Sequence, residues 1–378
     1  MAKGPFRADH VGSFLRPKPL LELRDKWKAG EAPHDELKVL EDECINEVVK
    51  MQEDTGIQAI TDGDFRRTSW SGDFLTAIKG VEMKAGLVST TVPTMQENTP
   101  VGGVVENWAP PTPVTTSRLE WPAGGIQHAS FEYLKSVTKG TPKVTIPSPS
   151  MLHFRGGRGG VDEKAYPDME EFYAEVSGIW RAEVMDLAAA GCRYVQLDDT
   201  NLAYLCDMKF RERVKELGED PDELPSLYAK LINDAIADRP DDMAITVHLC
   251  RGNSLSRGHA DGGYEPVADK MFNELKVDGI FLEYDSERAG DFKPLRFVPK
   301  DKRIVLGLVT SKFGELESKD DLKRRIGEAA QFMPMEQMCL SPQCGFASHT
   351  GGNLLAAEAQ SRKLRLIVEL AEEVWGKD

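Results

Sequence analysis

His248 and Cys250 stand one residue apart at the end of the apolar run AITVHLC. In an extended strand, side chains two positions apart point to the same face, so an imidazole and a thiol would face one side. Glu283 lies at the end of the next apolar run, GIFLEY, and Cys344 closes the last one, QMCLSPQC. One imidazole, one carboxylate and two thiolates suit four-coordinate zinc. The two thiolates and the carboxylate carry more negative charge than a divalent cation balances. An additional thiol would therefore bind by displacing the weaker carboxylate, and coordination would keep it deprotonated at neutral pH. Taken singly, Cys250 and Cys344 read as buried core thiols and His248 as a hydrogen-bonded core histidine. As a set, all at strand ends, they read as a metal site. A purely structural zinc fits less well, because such sites favour closely spaced ligand pairs in small loops. The other cysteines, Cys44, Cys192, Cys206 and Cys339, fall within apolar patterns and read as packing residues.

The elements that must position these groups are short apolar runs bounded by turn residues, the pattern of strands buried on both faces. Eight occur in order: Phe6 to Ser13, Ile57 to Asp64, Lys143 to Ser150, Arg193 to Asp199, Ala244 to Cys250, Gly279 to Tyr284, Arg303 to Thr310 and Gln337 to Cys344. Amphipathic helical patterns lie between most of them, and two of these stop at a glycine, Gly56 and Gly191. Alternating strands and helices imply an α/β protein with a parallel sheet, and eight repeats imply closure into a single (β/α)8 TIM barrel. The whole chain, 1–378, then reads as one domain. The segment from Ser69 to about Pro142 breaks the pattern, being rich in Thr, Val, Pro and Gly. It is expected to be an insertion after the second strand, a β-hairpin or a lid, with one helical stretch at HASFEYLKSV. In a (β/α)8 barrel the active site gathers at the C-terminal ends of the strands. Here nearly all eight runs are apolar first and reactive last: Gly12–Ser13, Asp62–Asp64, Ser148–Ser150, Asp198–Asp199, His248–Cys250, Glu283, Thr310–Ser311 and Cys344.

Composition narrows the function classes. The 47 basic residues are outnumbered by 62 acidic ones, giving a net charge of −15. Such a surface repels nucleic acid and anionic membranes. No apolar run has the length of a membrane span, and the N-terminal residues lack a signal-peptide pattern. Six cysteines in 378 residues are too few for a disulfide framework. A cytoplasmic enzyme acting on small molecules is expected, and a homo-oligomer is compatible with this.

Four stretches, HVGSFLRP, the HLC strand end, LEYDSERAG and SPQCGFAS, resemble the catalytic domain of cobalamin-independent methionine synthases, and in particular its short, single-barrel members. The resemblance covers nearly the whole chain. It implies that His248, Cys250, Glu283 and Cys344 bind zinc, which activates the homocysteine sulfur to take a methyl group from methyl-tetrahydrofolate or another donor, as in methionine biosynthesis. It also implies that the Val11–Gly12–Ser13 turn holds the amino acid's carboxylate and that Asp64 and Asp198 bind its ammonium group. Acidic side chains beside an anionic ligand set call for such a cation. The competing readings are a salt bridge from Asp64 to Arg66 or Arg67, a helix cap at Asp198, and a simple turn at Gly12–Ser13.

The chain departs from the family pattern at two points. It lacks the N-terminal barrel of the long enzymes. Thr310 stands where the family carries a proton-donating histidine, and transfer from a tertiary folate amine needs a proton on the leaving nitrogen. His153 and His349 are the candidates to replace it, and Phe154 and Trp70 are the candidates for stacking on a folate ring. Tyr284, Asp285, Arg288 and Arg296 read either as anion contacts or as a loop-bracing ion network. Gly351 to Asn353 would open the last helix. Trp27 to Leu37 reads as a solvated connection between helices. Two other functions share the architecture: thiol alkylation of an epoxide by coenzyme M, also at zinc, and a metal-free decarboxylase resembling uroporphyrinogen decarboxylase.

Overall fold

A computed structural model describes residues 4–85, 111–253, 256 and 258–377. Among these residues ten strands form: β1 (Ala59–Ile60), β2 (Lys79–Lys84), β3 (Thr112–Glu120), β4 (Thr141–Pro142), β5 (Val144–Pro147), β6 (Tyr194–Asp199), β7 (Ala244–Leu249), β8 (Gly279–Glu283), β9 (Arg303–Val309) and β10 (Met338–Pro342). The last six make one sheet in sequence order, and every pairing in it is parallel. Apart from the first residue of β9, every residue of these six strands is buried. Burial on both faces is why they read as mostly apolar runs without alternation.

Helices connect the strands. His34–Thr55 ends at Gly56, which takes the left-handed conformation, φ 84°. Met169–Ala189 begins with Asp168 accepting from the Glu170 amide and is followed by Gly191 at φ 98°. Ser318 caps Lys319–Ala329 in the same way. A caps-and-glycine grammar of this kind satisfies the free N–H groups at one end and turns the chain at the other.

The first two apolar runs depart from the expected regular strands. The first makes a single parallel bridge, Ala8 to Leu340 on β10. Its backbone is held instead by the buried Asp9 carboxylate, which accepts from the Phe6 and His10 amides, from Lys143 Nζ at 3.0 Å and from the Tyr194 hydroxyl at 2.8 Å. The second run shortens to β1, which pairs in parallel with β4, because Gly63 and Asp64 turn the chain with φ of 70° and 63°. The two runs still meet. The Phe14 amide donates to the Gly63 carbonyl at 3.1 Å and the Thr61 hydroxyl to the Gly12 carbonyl at 2.6 Å.

The segment from Ser69 to Pro142 contains an antiparallel hairpin, β2 with β3, and the expected helix at His128–Val137. The hairpin's connecting residues, 86–110, lie outside the described residues. A second short helix, Gly72–Ala77, was not foreseen; it buries Phe74 and Leu75 against the main core. The last helix starts at Ala357 and not at Gly351. Asn353 braces a loop instead, accepting from the Ser256 amide and donating to the Ser311 carbonyl. Trp27 to Leu37 does join two helices, Lys18–Lys28 and His34–Thr55, through exposed residues. Cys44, Cys192, Cys206 and Cys339 are all buried in apolar surroundings.

Candidate metal centre

His248 lies on β7, and Cys250 follows that strand directly, its amide still donating to the Asp199 carbonyl at 2.8 Å. Glu283 is the last residue of β8. Cys344 follows β10, beyond a register shift at Ser341–Pro342. One potential ligand atom from each of these four residues lies within 4.8 Å of the other three, and all four residues are buried. The sulfurs of Cys250 and Cys344 approach to 3.4 Å, and the His248 ring interacts with the Cys344 thiol and has no other hydrogen-bond partner among the described residues.

Three acidic side chains and an imidazole gathered in the interior would be costly without a compensating charge. Without a cation the two thiols divide the burden unequally. Cys344 is held well below the ordinary thiol range, first by the hydrogen bond with Cys250 and against its own burial, while Cys250 is pushed well above it by the same contact and by burial. A divalent cation removes that competition. The sulfur, nitrogen and oxygen donors present fit zinc.

A cavity of about 320 Å3 opens over this cluster. Val11, Ser13, Asp64 and Asp198 line it together with His248, Cys250 and Cys344. The loops after the first, second and last runs are tied together by the buried Arg16 guanidinium. It donates to the carbonyls of Asp64 at 2.8 Å, Arg67 at 3.2 Å, Ala347 at 3.0 Å and His349 at 3.3 Å. Gly12 sits behind the wall at φ 132°, where a Cβ would come within 2.8 Å of the Thr145 methyl group. The turn therefore requires glycine and presents Val11 and Ser13 to the cavity. The Ser13 hydroxyl accepts from the Ala347 amide at 3.3 Å.

The two aspartates differ. Asp64 is ion-paired with Arg67 at 2.8 Å, and both side chains are buried. Burial raises its pKa, and Arg67 opposes the shift. Asp198 accepts from the Gln196 amide at 2.6 Å and neighbours His248 across β6 and β7. Burial pushes it up to about 7, against the pull of His248. It caps no helix. That role belongs to Asp199, which accepts from the Leu202 amide at 2.8 Å and from the Ser150 hydroxyl at 2.6 Å.

Other expected residues separate cleanly. His349 and Trp70 line the cavity. His153 does not; it is buried between the hydroxyls of Tyr228 at 3.1 Å and Tyr173 at 3.2 Å, with Glu219 at 3.3 Å. Phe154 packs against Tyr204 and Tyr228 in the core. Thr310 is not among the cavity residues, and its amide is taken by Glu317 at 2.8 Å. Arg296 pairs with exposed Glu265. Asp285 pairs with Lys312 at 3.1 Å, and Arg288 with Glu283 at 3.1 Å. The Asp285–Lys312 pair braces the loop, the Arg288 pair reaches the candidate ligand Glu283, and Tyr284 is buried among aromatic rings. Sequence reasoning missed Tyr204, Arg155 and His259, which also line the cavity. Each stands several residues beyond a strand end, where periodicity carries no signal. Only their position after the third, fourth and fifth runs could have flagged them.

The chain and its fold have clear relatives. A Bacillus subtilis protein, YxjH, is 46% identical over 99% of this chain and 96% of its own length. The methionine synthase of Pyrococcus furiosus is 23% identical over 89% of this chain and 84% of its own. A crystal structure from Listeria monocytogenes, of a protein proposed to be a vitamin-B12 independent methionine synthase, superposes with a TM-score of 0.78 at 36% identity and covers both chains fully. The family model for the catalytic domain of cobalamin-independent synthases matches residues 6–373, and the chain belongs to that family.

Proposed function

We propose that the protein is a zinc-dependent S-methyltransferase that methylates a small thiol, homocysteine, from methyl-tetrahydrofolate or another activated methyl donor. The observation that carries this reading is the meeting of His248, Cys250, Glu283 and Cys344 in one buried cluster, three of whose members, His248, Cys250 and Cys344, line the cavity. Family membership agrees with it, since the relatives named above include a methionine synthase. In the same reading the chain is one domain, 1–378, and the eight runs close into a barrel. Support for closure comes from the Ala8–Leu340 bridge on one side of the first run and its Phe14–Gly63 hydrogen bond on the other.

His248, Cys250, Glu283 and Cys344 would hold the zinc. When bound, zinc makes a coordinated thiol ionise at neutral pH, which is the form a sulfur nucleophile needs. The protein's own groups do the rest. Asp198 faces the cavity with no ion pair to a Lys or Arg among the described residues and accepts the substrate ammonium. Asp64, already neutralised by Arg67, contributes orientation and less charge. Ser13 and the turn at Val11–Gly12 receive the carboxylate. Trp70 and Tyr204 supply apolar wall that limits water around the sulfur. Held this way, the sulfur has one direction open to it, toward the cavity, and positioning of this kind is a large part of rate enhancement.

The test is methionine formation, read by mass spectrometry, from zinc-loaded protein and homocysteine with a panel of donors that includes methyl-tetrahydrofolates and simpler methylated compounds. Zinc-dependent methionine with any donor supports the reading. No product with homocysteine, together with zinc-dependent alkylation of coenzyme M by an epoxide, would replace it.

A further inference from the structure

The four ligands are not held alike, and the difference falls on Glu283. The Cys250 sulfur accepts one backbone amide, that of Gly252 at 3.3 Å. The His248 ring interacts with the Cys344 thiol, and its nitrogens have no other hydrogen-bond partner among the described residues. Glu283 is gripped on both oxygens. Its Oε1 accepts from the Arg251 amide at 2.7 Å and its Oε2 from Arg288 Nη2 at 3.1 Å. With its nitrogen turned toward Glu283, the Gln343 amide donates to Oε2 as well, at 3.0 Å. Among the four, Glu283 alone has an ion pair with a cationic side chain among the described residues.

Arg288 is placed for this contact and for little else. It is nearly buried, lies outside the residues that line the cavity, and so does not touch a substrate there. The space its guanidinium occupies exists because residue 258 is glycine: a Cβ at Gly258 would overlap Nη1. The neighbouring cation, Lys312, pairs directly with Asp285 at 3.1 Å and reaches Glu283 only through space, so Arg288 is the cation in direct contact with the carboxylate.

We propose that Arg288 makes Glu283 the releasable member of the ligand set: the guanidinium competes with a bound cation for the carboxylate and receives it when a substrate thiol takes its place. This rests on the zinc reading above and adds a positioning residue to it. The exchange balances. The thiol gives its proton to solvent, its sulfur replaces one carboxylate oxygen on the cation, and the carboxylate keeps its negative charge and pairs fully with Arg288. The number of anionic ligands on the cation would stay the same, and the released carboxylate would meet the Arg288 charge instead of lying unpaired in the interior.

The test compares full-length wild type, Arg288→Met and Arg288→Lys. One readout is the zinc dissociation constant without thiol, by competition with a chromophoric chelator. The other is the homocysteine concentration that half-saturates the sulfur-to-metal charge-transfer band of the cobalt(II)-loaded protein. Arg288→Met should bind zinc about 10-fold more tightly and need about 10-fold more homocysteine, with Arg288→Lys between it and wild type. A residue that merely orients Glu283 would weaken zinc binding on removal. That result, or no change in either readout, would overturn the proposal. If circular dichroism shows that Arg288→Met does not fold, Arg288→Lys decides: smaller shifts in the same directions support the proposal, and absent or reversed shifts overturn it. A wild-type cobalt protein whose spectrum ignores homocysteine would defeat the thiol-activation reading instead, while the zinc affinities would still show whether Arg288 competes for Glu283.

Discussion

The Sγ atoms of Cys250 and Cys344 lie 3.4 Å apart, although the two residues are 94 positions apart in the chain. Parallel pairing of β7, β8, β9 and β10 in sequence order brings their ends together. Each thiol is buried, so the proximity is imposed by the sheet and not by local turn chemistry. A disulfide needs the sulfurs only a little closer, and Cys344, with its lowered pKa, supplies the thiolate that starts oxidation. Metal-free protein treated with a mild oxidant should therefore lose two of its six titratable thiols, and peptide mapping should find Cys250 joined to Cys344. Stoichiometric zinc should prevent the loss. Oxidation at another cysteine pair, or no protection by zinc, would count against the cluster as a metal site.

Asp64 and Asp198 line one cavity but should respond to amide substitution in different ways. Asp198→Asn removes a carboxylate that has no ion pair to a Lys or Arg among the described residues. Its effect should fall on the amino-acid substrate, raising KM by about 10- to 100-fold, the scale of one charge-assisted hydrogen bond. Asp64→Asn strands the buried Arg67 guanidinium. Leaving such a charge unpaired costs about 3–5 kcal/mol, so its main effect should be a lower Tm. Steady-state kinetics beside thermal unfolding separates the two. Equal KM effects with no stability difference would show that Arg67 does not spend the Asp64 charge.

Acid stability should carry the signature of buried neutral histidine. His10 donates from Nε2 to the Ala59 carbonyl at 2.8 Å. Burial first, and then the nearby Lys143 charge, lower its pKa to about 4. The unfolded chain takes up a proton near pH 6.5, and the folded protein resists until about pH 4. The stability from this residue is therefore complete above the unfolded value and disappears as pH falls between the two. The span corresponds to roughly 3 kcal/mol. Urea unfolding across that window should show a smaller loss of stability for His10→Gln than for wild type. Parallel curves would remove His10 from the account.

The legible part of the structure was the part where burial is two-sided. The runs containing β5 to β10 are mostly apolar and do not alternate, because both faces are covered, and their reactive residues stand out by contrast at the ends. The first run was harder because Asp9 and its partner Lys143 put charge, and His10 a neutral polar ring, into the interior, where side-chain bonds replace ladder bonds. The helix at Gly72–Ala77 is too short for a periodicity of 3.6 to register. Arg155 and His259 reach the cavity from loops and Tyr204 from the short helix Asn201–Tyr204, and the direction of such segments depends on what they pack against. The Asp64–Arg67 pair was legible as a possibility from spacing alone, and the coordinates show it formed. The Arg288–Glu283 contact was not legible, because it depends on a space created at Gly258.

The account stands most directly on one spectrum. X-ray absorption at the zinc edge, taken on stoichiometrically loaded protein, should show about two sulfur ligands in the absence of thiol and about three once homocysteine is added. A sulfur count that does not change with homocysteine or with other small thiols would contradict it.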